Sequence, residues 1–323
     1  MSGPIVPLTL GTWPTPVEPM PRLATALGLG HDDLLVKRDD LTGLGGGGNK
    51  IRKLEWTVAE ALANDADTLV TTGAPQSNHA RLTAAAAARL GLRAVLVFPG
   101  EPAAARTGNL VLDAFLGADV VFTGTQGRQA LADAAMRVCD RLRSEGARPA
   151  LIPFGGSTPL AARGYAQCGE ELLSQVPDLR TAVVALGSGA TMAGLVASLG
   201  PDRTLGVDVG AVDDPRQRVA GFVAPLAPDV RADDLRIDRD QVGKGYASLT
   251  ATVEEALTLV ARLEGIILDP TYTGRAMAGL IAAIRRGEIE PGDTTVFIHT
   301  GGLPGMFGHP EIPAFAESLS PGR

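Results

Sequence analysis

The sequence predicts an α/β protein built on parallel sheets with helices on both faces. Short apolar runs alternate with Ala/Leu-rich stretches of helical length. Several of these runs pass straight into a Gly-rich turn and then a helix: TTGAPQSNHA, PFGGSTP, ALGSGATMAG and FIHTGGLPG. The 40 glycines and 23 prolines make up about a fifth of the 323 residues without any G-X-Y period. That excludes collagen and implies many tight turns where backbone meets ligand.

The expected strands are Leu34–Val36, Thr68–Thr71, Ala94–Phe98, Val120–Phe122, Ala150–Pro153, Ala182–Leu186, Thr204–Val209 and Thr295–Ile298. Each is a short apolar run bounded by polar or Gly/Pro residues. Between them the expected helices are Lys50–Ala63, Ala80–Leu90, Gln126–Glu145, Ala190–Leu199, Val253–Leu263 and Gly274–Arg285. Residues 212–240 are charged and contain prolines, and read as exposed loops and short helices within one domain. In open α/β sheets ligands bind at the carboxyl ends of strands, so the four Gly-rich turns are where chemistry is expected.

Composition excludes several classes. A net charge of −7, no Lys/Arg run and 4% aromatic residues argue against a nucleic-acid partner. Cys139 and Cys168 form no CxxC and no disulfide framework, which suits idle thiols in a reducing cytoplasm. No apolar run approaches ~18 residues, and the start MSGPIVPLTLGTWPTP lacks a basic region followed by an apolar one. The expectation is a soluble cytoplasmic protein with no membrane partner, and the composition suits an enzyme.

Five segments can carry chemistry. GLGGGGNKIRK (Gly43–Lys53) fails the Walker A pattern, because Asn49, Lys50 and Ile51 follow Gly48. Read blandly, it is a flexible linker. Read functionally, its glycines let a bulky group approach, and Lys50 stands at a helix start. There the positive end of the helix dipole disfavours the ammonium and helps to make a neutral, Schiff-base type amine. In TTGAPQSNHAR (Thr71–Arg81), Ser77 or Asn78 caps a helix, either as a plain cap or as part of a carboxylate site. His79, one of four histidines, has no metal-ligand partner at helical spacing.

AVVALGSGATMAG (Ala182–Gly194) departs from G-x-G-x-x-G because Met192 takes the third glycine position, so a dinucleotide is not expected. Its N–H groups and the Ser188 and Thr191 hydroxyls suit one phosphate monoester; the alternative is a βα turn with no ligand. GIILDPTYTGRAM (Gly265–Met277) places Tyr272 at a helix start. Tyr246 and Tyr272, two of only three tyrosines, lie in Gly-flanked segments, although a surface tyrosine is the simpler reading. FIHTGGLPG (Phe297–Gly305) reads as a strand ending at Thr300 and two glycines. With no GxSxG, HExxH or paired zinc cysteines, neither a serine hydrolase nor a metal centre has support.

Taken together, LVKRDDLTG, GGNKIRKLEW, QSNHAR, GARPALIPFGGS, ARLEGIILDPTYTGRAMAGL and FIHTGGLPG resemble the fold type II pyridoxal-phosphate enzymes. The similarity runs in order from about Pro14 to about Gly308 and is closest to the D-cysteine desulfhydrase and 1-aminocyclopropane-1-carboxylate (ACC) deaminase branch. It implies a tryptophan synthase β-like α/β fold with two open, twisted, mostly parallel sheets flanked by helices. A small domain (51–155) would be inserted in a large cofactor-binding domain (1–50 and 156–323), in a homodimer.

The resemblance also implies residue roles. Lys50 would bond pyridoxal phosphate covalently, and Asn78 would hydrogen-bond its 3-hydroxyl oxygen. Gly187, Ser188, Gly189, Ala190 and Thr191 would cradle the phosphate, and Thr300 would offer a hydroxyl to the cofactor. Ser77, Asn78 and His79 would receive the substrate carboxylate, with Tyr246 and Tyr272 facing the substrate. Catalysis would rest on Lys50, Ser77 and Tyr272, with Lys50 or Tyr272 removing the Cα proton.

ACC deaminases carry Glu after the tyrosine matching Tyr272 and Leu where Thr300 stands. Thr273 and Thr300 match the desulfhydrases instead. The implied reaction is β-elimination from a small amino acid, most simply D-cysteine to pyruvate, ammonia and hydrogen sulfide. ACC deamination, loss of sulfite from L-cysteate, or a catalytically silent binder of cofactor or amino acid are the alternatives. The run GGGGNK departs from the bulkier residues that relatives often place before GGNK, which suggests a roomier site.

Overall fold

Residues 4–102, 106–124 and 127–319 are described in the computed structural model of the chain. Their elements run β1 (Val17–Pro19), α1 (Pro21–Ala26), β2 (Leu34–Lys37), α2 (Lys50–Ala63), β3 (Thr68–Thr72), α3 (Asn78–Leu90), β4 (Arg93–Phe98), α4 (Asn109–Phe115), β5 (Asp119–Phe122) and α5 (Arg128–Ser144). The chain continues with β6 (Pro149–Ile152), α6 (Pro159–Gln175), β7 (Thr181–Leu186), α7 (Ala190–Leu199), β8 (Thr204–Asp208), α8 (Pro215–Val223) and β9 (Arg236–Asp238). It ends with α9 (Ala251–Glu264), α10 (Thr273–Arg285), β10 (Thr295–Ile298), α11 (Leu303–Met306) and α12 (Ile312–Ser318).

Strand alternation builds the larger sheet, of order β1-β2-β10-β7-β8-β9. Along β7, Val183 and Ala185 enter one core with α1, α9 and α10, while Ala182, Val184 and Leu186 enter another with α6, α7 and α8. Every pairing in this sheet is parallel except β1 with β2. The smaller sheet is parallel throughout, of order β5-β4-β3-β6. Helices α2, α3 and α4 cover one of its faces and α5 the other.

All eight expected strands and six expected helices form, with bounds shifted by two residues or fewer where they are described; Gln126 lies outside the described residues. Further elements form that the sequence does not announce, among them α6, β9, β1 and the short helices α1, α4, α11 and α12. Helix α6 carries Gly164 and Gly169 in its interior, which lowers helix propensity. Packing overrides that: a Cβ on Gly164 would sit 2.1 Å from the Arg52 carbonyl oxygen, and one on Gly169 1.9 Å from Ser198 Oγ. The charged stretch 212–240 contains strand β9, which extends the sheet beside β8, rather than only loops and helices. At three residues each, β1 and β9 are too short to show alternation.

A buried polar network locks α2 to the larger sheet. Arg52 donates to both Asp39 oxygens (2.8 and 3.0 Å) and both Glu171 oxygens (2.8 and 2.9 Å). The Tyr165 and Thr15 hydroxyls also donate to Asp39 (2.5 and 2.7 Å), and Lys37 bonds Glu171, Gln175 and the Thr15 carbonyl. Burial alone would push the Asp39 carboxyl up, but the Arg52 guanidinium and the two hydroxyls outweigh it and hold it below the usual range.

Asp39→Ala leaves Arg52 buried with half its partners and should cost about 3–5 kcal/mol of stability in chemical denaturation. The carboxylate's contribution should be complete above its unfolded pKa of ~3.9 and fade as pH falls through its lower folded value. A loss below ~1 kcal/mol would show that this pair does not fix α2.

Candidate active site

The two sheets point strand ends and helix starts at one cavity of about 540 Å³. Lys50 opens α2, Ser77 and Asn78 open α3, Gly187, Ser188 and Gly189 form the turn between β7 and α7, and Thr191 follows in the first turn of α7. Tyr246, Tyr272 and Thr300 line it from the larger-sheet side. The sequence reading therefore names residues that converge in space, with two departures. Ala190 is fully buried behind the turn and does not line the cavity. Thr273 is also buried, and its hydroxyl donates to Asp269 Oδ1 at 2.8 Å instead of facing the cavity.

The four-glycine run is a backbone requirement. Gly45, Gly46, Gly47 and Gly48 all have positive φ, and a Cβ on Gly47 would lie 1.9 Å from the Asp40 carbonyl oxygen. None of the four lines the cavity, so the run does not enlarge it. Arg81 from α3 donates to the carbonyls of Gly45 and Gly47, and Asn49 N–H donates to the Thr300 carbonyl (3.0 Å). These bonds fix where α2 begins and therefore where Lys50 stands.

Lys50 and Lys53 stand one turn apart on α2, with no carboxylate beside them. Burial pushes the Lys50 ammonium down to about 8. Burial together with the charge of Lys50 pushes Lys53 well below its ordinary value. Lys53 donates to Ser157 Oγ (3.0 Å) and the Gly155 carbonyl (3.2 Å), and Ser157 donates to Ser188 Oγ (2.7 Å). Lys53 is thus wired to the β7–α7 turn.

The predicted carboxylate site divides by chemistry. Ser77 Oγ accepts from Ala80 N–H (3.1 Å) as a true N-cap. Asn78 Oδ1 accepts from Asn109 (2.9 Å), which leaves its NH₂ group to donate. Thr71 gives its hydroxyl proton to the Ile152 carbonyl, so His79 Nε2 must donate to Thr71 (2.8 Å). Burial, then the two lysines, push His79 well below its ordinary value, and its neutral ring leaves Nδ1 as a bare acceptor with no partner. That ring cannot receive a carboxylate, so His79 offers only its main-chain N–H in the first turn of α3.

Asp269 aims Tyr272. Its carboxylate accepts the N–H groups of Thr271, Tyr272 and Thr273, each at 2.9 Å. Tyr272 and Tyr246 share a 2.5 Å hydroxyl contact with edge-on rings. Burial, then the neighbouring Tyr246, raises the Tyr272 phenol well above its ordinary value.

Among known sequences, the family described as pyridoxal-phosphate dependent enzyme matches residues 8–301. The chain belongs to that family. A protein of Pyrococcus abyssi, provisionally named 1-aminocyclopropane-1-carboxylate deaminase, is 40% identical over 94% of each chain. D-cysteine desulfhydrase of Salmonella typhi is 40% identical over 93% of this chain and 95% of its own. A crystal structure described as an ACC deaminase homologue superposes with a TM-score of 0.87 at 35% identity, covering 97% of this chain and 96% of that one. Threonine deaminase isoform 2 from Solanum lycopersicum, with a TM-score of 0.66 at 18% identity over 94% of this chain and 83% of its own, shares the fold. The architecture is fold type II, the cofactor is pyridoxal phosphate and the enzyme is a lyase.

The residues present fit that cofactor. Two lysines without a carboxylate need an anion, and the β7–α7 turn offers hydroxyls and N–H groups for one. Gly189 sits there at φ +104°, and a Cβ would press on Arg218 and Phe222 at 3.2 and 3.3 Å. Sequence reasoning gave no role to Ser157, Asp269, Arg128 or Phe154. Asp269, three residues before Tyr272 at a helix start, was the one with a readable turn signal.

The rate at which pyridoxal phosphate bonds the apo-protein should rise with pH and level off above about 8, as Lys50 loses its proton. Following the visible absorbance band against pH checks this. A rate still climbing at pH 10, where an ordinary lysine titrates, would show that Lys50 is not perturbed.

Proposed function

We propose that this enzyme performs β-elimination on D-cysteine, giving pyruvate, ammonia and hydrogen sulfide. One observation carries the choice: among the described residues, no Asp or Glu lines the cavity, and Thr300 does. Bound pyridoxal phosphate supplies an electron sink for the negative charge that develops at Cα. No side chain here can supply the negative charge that would hold a ring nitrogen protonated; Thr300 offers only a hydroxyl. A sink of that strength suffices when thiolate leaves, but not for opening an unactivated cyclopropane. The curated D-cysteine desulfhydrases at 40% identity support this reading.

In it Lys50 carries the cofactor, and the 187–191 turn, backed by Lys53 through Ser157, holds the phosphate. Ser77, the Asn78 amide and the first N–H groups of α3 bind the substrate carboxylate. Lys50 Nζ takes the Cα proton, because its ammonium is pushed down to about 8 while the Tyr272 phenol is raised. Tyr272 and Tyr246 then orient the substrate and hold a proton near the leaving sulfur. The site lies between a small domain (51–155) and a larger one (1–50 and 156–323). Unpaired, buried Cys139 and Cys168 support a reducing, cytoplasmic setting.

A second reading, loss of sulfite from L-cysteate, is favoured by Arg128. Its exposed guanidinium lines the same carboxylate-free cavity, stacked 5.4 Å from the Phe154 ring, where it could meet a sulfonate.

Comparing kcat/KM on one preparation decides among these. D-cysteine should exceed ACC by at least about 10²-fold, roughly 3 kcal/mol of transition-state stabilisation. ACC turnover equal to that of D-cysteine would overturn the proposal. L-cysteate turnover above that of D-cysteine, lost in Arg128→Ala, would establish the second reading in its place.

A further inference from the structure

The loop 242–248 carries Tyr246 into the cavity and is held under strain. Ala247, the next residue, has φ +62°, in the left-handed region that a residue with a Cβ rarely occupies. Its carbonyl accepts from His309 Nε2 at 2.7 Å. The carbonyls on either side of it are gathered by one buried side chain, Arg275. That guanidinium donates to Gly245 O (2.7 Å), Ser248 O (2.8 Å), Val242 O (3.1 Å) and Val209 O (2.9 Å).

Arg275 lies on α10, three residues after Tyr272. One fork therefore ties the Tyr246 loop, the end of the β8 segment and the helix that presents Tyr272 into a single unit. Gly210 lets the loop close on that segment: a Cβ there would lie 2.8 Å from Val242 Cγ1. A lysine offers one point charge in place of a planar fork, so it cannot span four carbonyls.

We propose that Arg275 is the positioning residue for Tyr246, holding the strained 242–248 loop so that the Tyr246 and Tyr272 hydroxyls meet over the substrate. The substrate-facing role of the pair rests on the function proposed above; the clamp itself does not. Arg275 touches no substrate, and its effect on turnover runs through Tyr246.

The test is a double-mutant cycle of Arg275→Lys with Tyr246→Phe on the holoenzyme, with thermal stability and pyridoxal-phosphate affinity as controls. Arg275→Lys should lower kcat about tenfold or more, with unchanged cofactor affinity. In the Tyr246→Phe background the same change should cost almost nothing, because the group it positions is gone. Adding Ala247→Gly to Arg275→Lys should recover kcat, since glycine adopts that backbone without strain. Equal losses in both backgrounds would overturn the proposal.

A second readout needs no substrate. Tyr246 and Tyr272, two of the only three tyrosines, share their 2.5 Å hydroxyl contact although Tyr246 is 41% exposed, so neither should ionise near the ordinary ~10 while that contact holds. In Arg275→Lys one should, by ultraviolet difference titration, and an unchanged titration would overturn the clamp. If the wild type fails to turn over D-cysteine, the proposed function falls and this titration alone decides the clamp. Should Arg275→Lys not fold, His309→Ala removes the loop's other donor and runs the same cycle.

Discussion

The place of Lys50 depends on Arg52. This guanidinium sits two residues further along the same helix, almost fully buried, and spends its fork on two carboxylates from different parts of the chain. Trp13 lies 4.0 Å from it on one face. Burying ions costs several kcal/mol each in lost hydration, and only complete hydrogen bonding offsets that. Here it is complete: every oxygen of Asp39 and Glu171 accepts at least one donor. The gain is definition. A helix start tied to β2 and α6 cannot slide, so Lys50 meets the cavity at one point.

The cavity has the opposite electrostatic character from the surface. The chain carries −7 overall, yet Lys50 and Arg128 are the charged groups on the cavity wall, with Lys53 just behind. Crowded cations without a carboxylate are unfavourable until an anion arrives. A phosphate ester and an α-carboxylate are the two anions such a lyase handles. Burial lowers the Lys50 pKa to about 8, the cations around the cavity draw in both molecules, and an amine that gives up its proton easily stands at the meeting point.

Much of this was legible in the sequence because strand, Gly-rich turn and helix leave separate marks. Lys50, Ser77, Asn78, the 187–191 turn, Tyr246, Tyr272 and Thr300 stand at such junctions, and all but Ala190 of that turn reach the cavity. Long-range contacts were not legible. Nothing local to PLAARGYAQCGEELL shows that Gly164 and Gly169 exist to fit against α2 and α7. His79 looked like a carboxylate ligand until the hydrogen bond from Thr71 to the Ile152 carbonyl fixed its tautomer. The resemblance pairs Thr273 with Thr300 at the positions that separate the two branches, yet the Thr273 hydroxyl is turned to Asp269 and out of the cavity. The GGGG run reads as missing bulk, whereas its positive φ angles serve the backbone path into α2.

Covalent trapping tests the central claim most directly, because the chain has only four lysines: Lys37, Lys50, Lys53 and Lys244. Borohydride reduction of the protein with pyridoxal phosphate, followed by peptide mapping by mass spectrometry, reads out which one bonds the cofactor. The expected result is a single modified peptide with the added mass on Lys50. Stoichiometric modification of Lys53 or Lys244 with Lys50 untouched would contradict it.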